Sequence, residues 1–158
     1  MKLSDFVVRE AVSADLAATT KEEVIREMLG SLSTTGHVTN GEFEGVINSI
    51  LKREEQGTTG IGRGVAVPHT KHASAARLIG TVAVSKKGIE FESLDGDPVH
   101  ILFLLVSPPE PPRNHLLALE TIAKHLRNDT FCRFLRQATT REQIVELLDE
   151  ADQNQLGS

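Results

Sequence analysis

Two histidines and an arginine hold the chemistry that this sequence can offer. His69 closes the stretch Gly60-Ile-Gly-Arg-Gly-Val-Ala-Val-Pro-His69, in which glycines run into a short apolar segment and a proline. An imidazole titrates near pH 6.5, so much of it is neutral at pH 7. One ring nitrogen can then attack phosphorus without the help of a strong base. Pro68 fixes the direction of the backbone just before the ring. A phosphoryl group held there would bring about two negative charges and three acceptor oxygens. Donors of a suitable kind are present: the planar fork of Arg53, an N–H of His115, and the backbone N–H groups of the Gly62-Arg63-Gly64 loop. Donors fixed in place would also stabilise the phosphoryl group in flight, and the scheme needs no metal or cofactor.

Each of these residues has a plainer reading. A glycine run can be a mere turn. It is not a Walker loop, since no Gly-Lys-Ser/Thr follows, and not a dinucleotide fingerprint, which runs strand, glycines, helix. Arg53 ends a predicted helix, where a cation suits the dipole anyway. His115 lies near a helix start, where a charged imidazole is disfavoured, which argues for a functional reason. His69 and His72 form a His-x-x-His pair, but no Cys pair or His-Glu-x-x-His pattern accompanies it, so no metal site is expected. His37, His100 and His125 have no motif around them. Cys132, flanked by Phe131 and Phe134, reads as a small core residue.

The elements that must position these groups follow from pattern. Thr20-Lys-Glu-Glu23 and Thr39-Asn-Gly-Glu42 read as capping boxes. Apolar stripes at helical spacing follow both, and Gly57 stops the second helix. Thr58 to Gly64 reads as a loop, and Val65 to Val67 as a short strand with His69 at its mouth, where α/β folds usually bind ligands. Leu78 to Val84 and Val99 to Val106 read as buried strands, with a minor strand over Ile89–Phe91. Lys86-Lys87-Gly88 and Asp95-Gly96-Asp97 read as turns. One short strand is expected within Val7–Leu16. After the stiff Ser107–Pro112 loop, helices are expected from about Asn114, from Asp129, and from a Thr140 cap. Helices, strands, then helices predict an α/β fold: a mixed β-sheet flanked by helices on both faces, in three α/β/α layers. The domain is expected to span residues 1–151, with a disordered tail over 152–158.

Composition narrows the function. A chain of 158 residues with net charge −5 and no basic run is a poor partner for nucleic acid, and without Trp or Tyr it cannot offer much base stacking. A single cysteine excludes an internal disulfide framework. The start has no basic-then-apolar signal, and the longest apolar run, Ile101–Val106, is too short to insert into a membrane. A cytoplasmic location is expected.

Thr59-Gly-Ile-Gly-Arg-Gly-Val-Ala-Val-Pro-His69 resembles the active-site segment of the fructose/mannitol-type enzyme IIA domains. These belong to the bacterial phosphoenolpyruvate-dependent phosphotransferase system and include nitrogen-regulatory IIA proteins. The resemblance runs from about Leu3 to Glu150. It takes in Lys52-Arg-Glu54, Phe91-Glu-Ser-Leu-Asp-Gly-Asp-Pro-Val99, the strand Ile101–Val106, and Asn114-His115-Leu-x-x-Leu119. It implies that His69 accepts phosphate from the histidine-containing phosphocarrier protein. His115 matches the family's second histidine and Arg53 its arginine. Thr70 departs from the glycine common after the active histidine. The phosphate would pass to a IIB partner or act as a signal to a regulatory target. No IIB or membrane domain is appended, which leans toward regulation. Two other classes stay open: a non-catalytic binding module of the same fold, as in anion exchangers, and a metal hydrolase built on His69, His72 and His115.

Overall fold

A computed structural model describes residues 1–156. Helix α1, Lys21–Thr34, starts at Thr20, whose hydroxyl accepts the Glu23 N–H at 3.3 Å. The Glu23 carboxylate returns to the Thr20 hydroxyl rather than to its backbone. The second expected capping box does not form. A 3₁₀ turn, Asn40–Glu42, precedes α2, Phe43–Glu55. There the Thr39 carbonyl takes the Glu42 N–H at 3.1 Å, so the backbone itself supplies the bond expected of the side chain.

Five strands follow: β1 Gly60–Gly62, β2 Val65–Ala66, β3 His69–Lys71, β4 Ile79–Ile89 and β5 Val99–Ser107. The segment expected to be a loop is thus a small hairpin. Arg63 and Gly64, at φ 60° and 79°, make its two-residue turn, and positive φ at both centres matches the twist of the flanking strands. Lys86-Lys87-Gly88 is not a turn between strands but an irregularity inside β4, whose register shifts between Val84 and Ile89. Residues 7–16 form no strand. They make a 3₁₀ turn, Arg9–Ala11, and isolated bridges from Val7 to Gly80 and Ser13 to Ala83 along β4.

Strand β5 is the axis of the sheet. β4 pairs with it antiparallel, while β2 and β3 pair with it parallel, end to end at one constant register: Val65 opposite Ile101, His69 opposite Leu105. Strand period 2 then sorts the core. Ile101, Phe103 and Leu105 pack with residues of α3 (Pro112–Leu126), α4 (Asp129–Gln137) and α5 (Arg141–Asp152). Leu102, Leu104 and Val106 pack with α1 and α2. The mixed sheet with helices on both faces is the three-layer arrangement expected. Helix α3 starts at Pro112, two residues earlier than expected, because proline suits the first helical position, where no N–H is needed. Asn128 accepts the Phe131 N–H to start α4. Thr140 and Gln143 form a reciprocal box for α5.

Helix α5 runs one residue into the expected tail. Asp152 is the last residue of α5, and its carboxylate accepts the N–H groups of Leu3 and Ser4 at 2.6 and 2.9 Å. Residues 157–158 of the expected tail lie outside the described residues.

Candidate active site

His69 is not the end of a strand but the start of one. The line from Val65 to Lys71 is interrupted at Val67-Pro68 and resumes as β3. Pro68 keeps its place through its carbonyl, which accepts the Leu105 N–H at 3.1 Å. The Val67 carbonyl accepts instead from His69 Nδ1, at 2.7 Å. A carbonyl can only accept, so Nδ1 carries the proton and the lone pair lies on Nε2. Alternation along the strand then divides the neighbours. His69 shares the face of Val65 and Val67 with α3, and the buried Thr70 meets Ser49 of α2 through paired hydroxyls.

His115 sits in the first turn of α3, with its ring centroid 5.4 Å from that of His69 at a 52° tilt. Its Nδ1 is hydrogen-bonded to the Ser107 hydroxyl at the end of β5. The residue is 5% exposed, and burial first, then the charges on His69 and Lys71, lower its pKa to about 4. Burial also lowers the pKa of His69. The Arg53 charge works the same way, while the Val67 carbonyl and Glu54 oppose it. Both rings are therefore neutral at pH 7. The disfavour for a charged imidazole at a helix start is met by removing the charge.

The half-buried Arg53, in the last turn of α2, donates from Nη1 to the Gly57 carbonyl at 2.9 Å. This bond anchors the guanidinium near His69. The expected phosphate loop is not brought there. The Arg63 N–H is taken by Asp95 at 2.9 Å and its side chain by Asp129. A Cβ on Gly62 would meet Asp95, and one on Gly64 would meet Arg136. β2 enters the sheet four residues before His69, so the turn lies roughly 13 Å away along the strand direction. The sequence could not reveal this without knowing that the glycines close a hairpin. His72 is also directed elsewhere, with Nδ1 at 2.7 Å from the Ser74 hydroxyl. Among the described residues no group of three His, Cys, Asp or Glu side chains converges as metal ligands would.

Sequence reasoning named Glu54 only as part of a motif, yet it holds the site together. Its carboxylate, 7% exposed, accepts the Thr59 N–H at 3.2 Å and the Thr59 hydroxyl, and pairs with Lys21 at 3.1 Å. The Thr59 carbonyl accepts the Val67 N–H at 3.1 Å, and the other side of the Val67 residue holds the His69 ring. A chain of bonds therefore runs from Lys21 through Glu54 and Thr59 to the imidazole. Glu54→Ala is expected to cost about 2–3 kcal/mol in urea denaturation, because Thr59 loses its acceptor and Lys21 its main partner. Glu54→Gln keeps an acceptor for Thr59 and should lose less. Equal losses in the two variants would assign the effect to the charge alone.

The lowered pKa values fix a second expectation. Between pH 6.5 and about 4 the unfolded chain binds protons that the folded His115 refuses, so stability falls as the pH falls through that window. His69 acts in the same direction. The His115 contribution is about 3 kcal/mol, fully present above pH 7. Urea midpoints measured from pH 7.5 to 4.5 should fall in the wild-type protein and fall less in His115→Ala.

Known proteins share this sequence pattern and this fold. A family profile described as "Phosphoenolpyruvate-dependent sugar phosphotransferase system, EIIA 2" matches residues 5–151. The chain is 33% identical over 148 residues to a nitrogen regulatory protein of Bradyrhizobium diazoefficiens, covering 94% of this chain and 95% of that one. It is 30% identical over 152 residues to the fructose-specific EIIABC component of Bacillus subtilis, covering 96% of this chain but only 24% of that longer protein. Its fold matches the crystal structure of the nitrogen regulatory protein IIA-Ntr of Neisseria meningitidis with a TM-score of 0.82, at 23% identity over 92% of this chain and 98% of that one. It also matches the Escherichia coli mannitol IIA enzyme in its complex with phosphorylated IIB, with a TM-score of 0.73, at 20% identity over 89% and 94%. The protein belongs to the type-2 enzyme IIA family of the phosphoenolpyruvate-dependent sugar phosphotransferase system, whose members are intermediates in phosphoryl transfer.

Proposed function

We propose that His69 Nε2 accepts a phosphoryl group from the histidine-containing phosphocarrier protein and then gives it to a IIB component or holds it as a signal to a regulatory target. One observation carries the reading: the Val67 carbonyl keeps the His69 proton on Nδ1, so the free lone pair is on Nε2, beside a second neutral imidazole. In the transfer the phosphorus–nitrogen bond of the donor breaks as the bond to Nε2 forms. The proton stays on Nδ1, donated to the Val67 carbonyl, which stabilises the positive charge that the ring gains. The phosphoryl oxygens need donors. Arg53 offers its fork, and His115 its Nε2–H when the Ser107 hydroxyl donates to Nδ1.

Both outputs use the same phosphorylated ring. A nitrogen regulatory protein matches end to end, which supports a regulatory output, and a fructose-specific EIIA component of Haloferax volcanii matches over the same shares, which supports onward transfer. The mannitol IIA with the same fold is seen with a phosphorylated IIB, which favours onward transfer. Incubation with phosphoenolpyruvate, enzyme I and the phosphocarrier protein should place one acid-labile phosphate on each chain. No uptake from the phosphorylated carrier would overturn the reading. Chasing the phosphorylated protein with a IIB domain separates the outputs, since only a transport intermediate empties within seconds.

A further inference from the structure

Far from His69, beside the Arg63–Gly64 turn, a cleft of about 390 Å³ opens against α4. Arg63, Arg133 and Arg136 stand around it, and Val65 and Cys132 form an apolar floor. The one carboxylate there, Asp129, is engaged by Arg63. Arg133 and Arg136 form no ion pair among the described residues; Arg133 lies over the Phe134 ring, 5.3 Å from its centroid. Three guanidinium groups against one carboxylate is an excess of positive charge in a protein whose net charge is −5. Basic composition therefore does not account for it. The arrangement is built from two elements. Asp129, Cys132, Arg133 and Arg136 share one face of α4 at helical spacing, and Gly64 leaves room for Arg136, whose Nη1 lies 3.5 Å from where a Cβ would be.

We propose that this cleft binds a small organic phosphate. The guanidinium groups of Arg133 and Arg136 present paired donors that match a phosphate group, and neither is occupied by a carboxylate. The volume is that of a metabolite site, larger than inorganic phosphate fills, and the Val65–Cys132 floor gives the rest of the molecule an apolar surface to cover. The site is independent of the role of His69.

Three probes test it: inorganic phosphate, glucose 6-phosphate and adenosine monophosphate, each titrated calorimetrically into the full chain. Cys132 is the only cysteine, so its alkylation rate reports occupancy of the floor directly. At least one organic phosphate should bind saturably, about tenfold or more tighter than inorganic phosphate, and should slow Cys132 alkylation. Which of the two binds distinguishes a sugar from a nucleoside body. The Arg133→Ala/Arg136→Ala variant should lose at least about tenfold in affinity, with its melting and its phosphoryl uptake unchanged. If that variant does not fold, Arg133→Gln/Arg136→Gln replaces it. Organic phosphates that bind no tighter than the inorganic ion, no protection of Cys132, or an unchanged affinity in the folded double variant would each overturn the proposal.

Discussion

His69→Ala should take up no phosphate from the phosphorylated carrier, while the wild-type chain fills to one phosphate each. This is the largest effect expected, because no neighbouring group can replace the ring. The His115 Nδ1 is held by Ser107, and its pKa of about 4 makes it a weak nucleophile at pH 7. The substitution should leave the fold intact. His69 is half-buried at the start of a strand on the sheet's edge, and removing its ring leaves the Val67 carbonyl without one partner, at a cost of about 1 kcal/mol. A melting curve close to that of the wild type, together with complete loss of uptake, separates the missing nucleophile from a collapsed fold. The site of attachment is a second readout. Nitrogen-15 spectra of the phosphorylated protein should place phosphorus on Nε2, with Nδ1 still protonated. Phosphorus on Nδ1 would mean that the Val67 bond breaks during transfer, and the tautomer argument would fail.

Much of this site could be read from the residues, and the parts that could not share a cause. Local chemistry was legible. The Thr20 and Thr140 caps lie where short-range hydrogen bonding puts them, and the aliphatic runs of β4 and β5 form the buried centre of the sheet. His69, His115 and Arg53 are brought together because β3, α3 and the end of α2 all meet at one end of β5. What pattern alone missed depends on pairing between distant segments. Whether Gly62-Arg63-Gly64 faces a phosphate or closes a hairpin turns on which strand Val65 joins, and that is decided by Ile101, thirty-six residues on. Glu54 stood out in the sequence only as part of the Lys52-Arg-Glu54 motif. Its role exists only because Thr59 folds back beneath it and passes a hydrogen bond on to Val67. The Thr39 box failed for the opposite reason, since a 3₁₀ turn met the same need with backbone atoms.

His115→Ala should slow phosphoryl transfer by about 10²–10³-fold without abolishing uptake, the cost of removing one fixed donor from a transition state that gathers charge on oxygen. The ring is close to His69, nearly buried and oriented by Ser107, so its N–H needs little reorganisation when the phosphoryl group arrives. Its charge state should change with the reaction. In the free protein, burial keeps it neutral. A dianion on His69 would oppose that burial and raise the His115 pKa. Titration by NMR should therefore find His115 protonating at a higher pH in the phosphorylated protein than in the free one. The proton taken up offsets part of the new negative charge, so His115→Ala should also shorten the lifetime of the phosphorylated form. Ser107→Ala gives the control: the ring stays but loses its orientation, and the rate should fall between those of the wild type and His115→Ala. If His115→Ala transfers at the wild-type rate and leaves the lifetime of the phosphorylated form unchanged, then Arg53 holds the phosphoryl group without it, and the second imidazole serves only to pack β5 against α3.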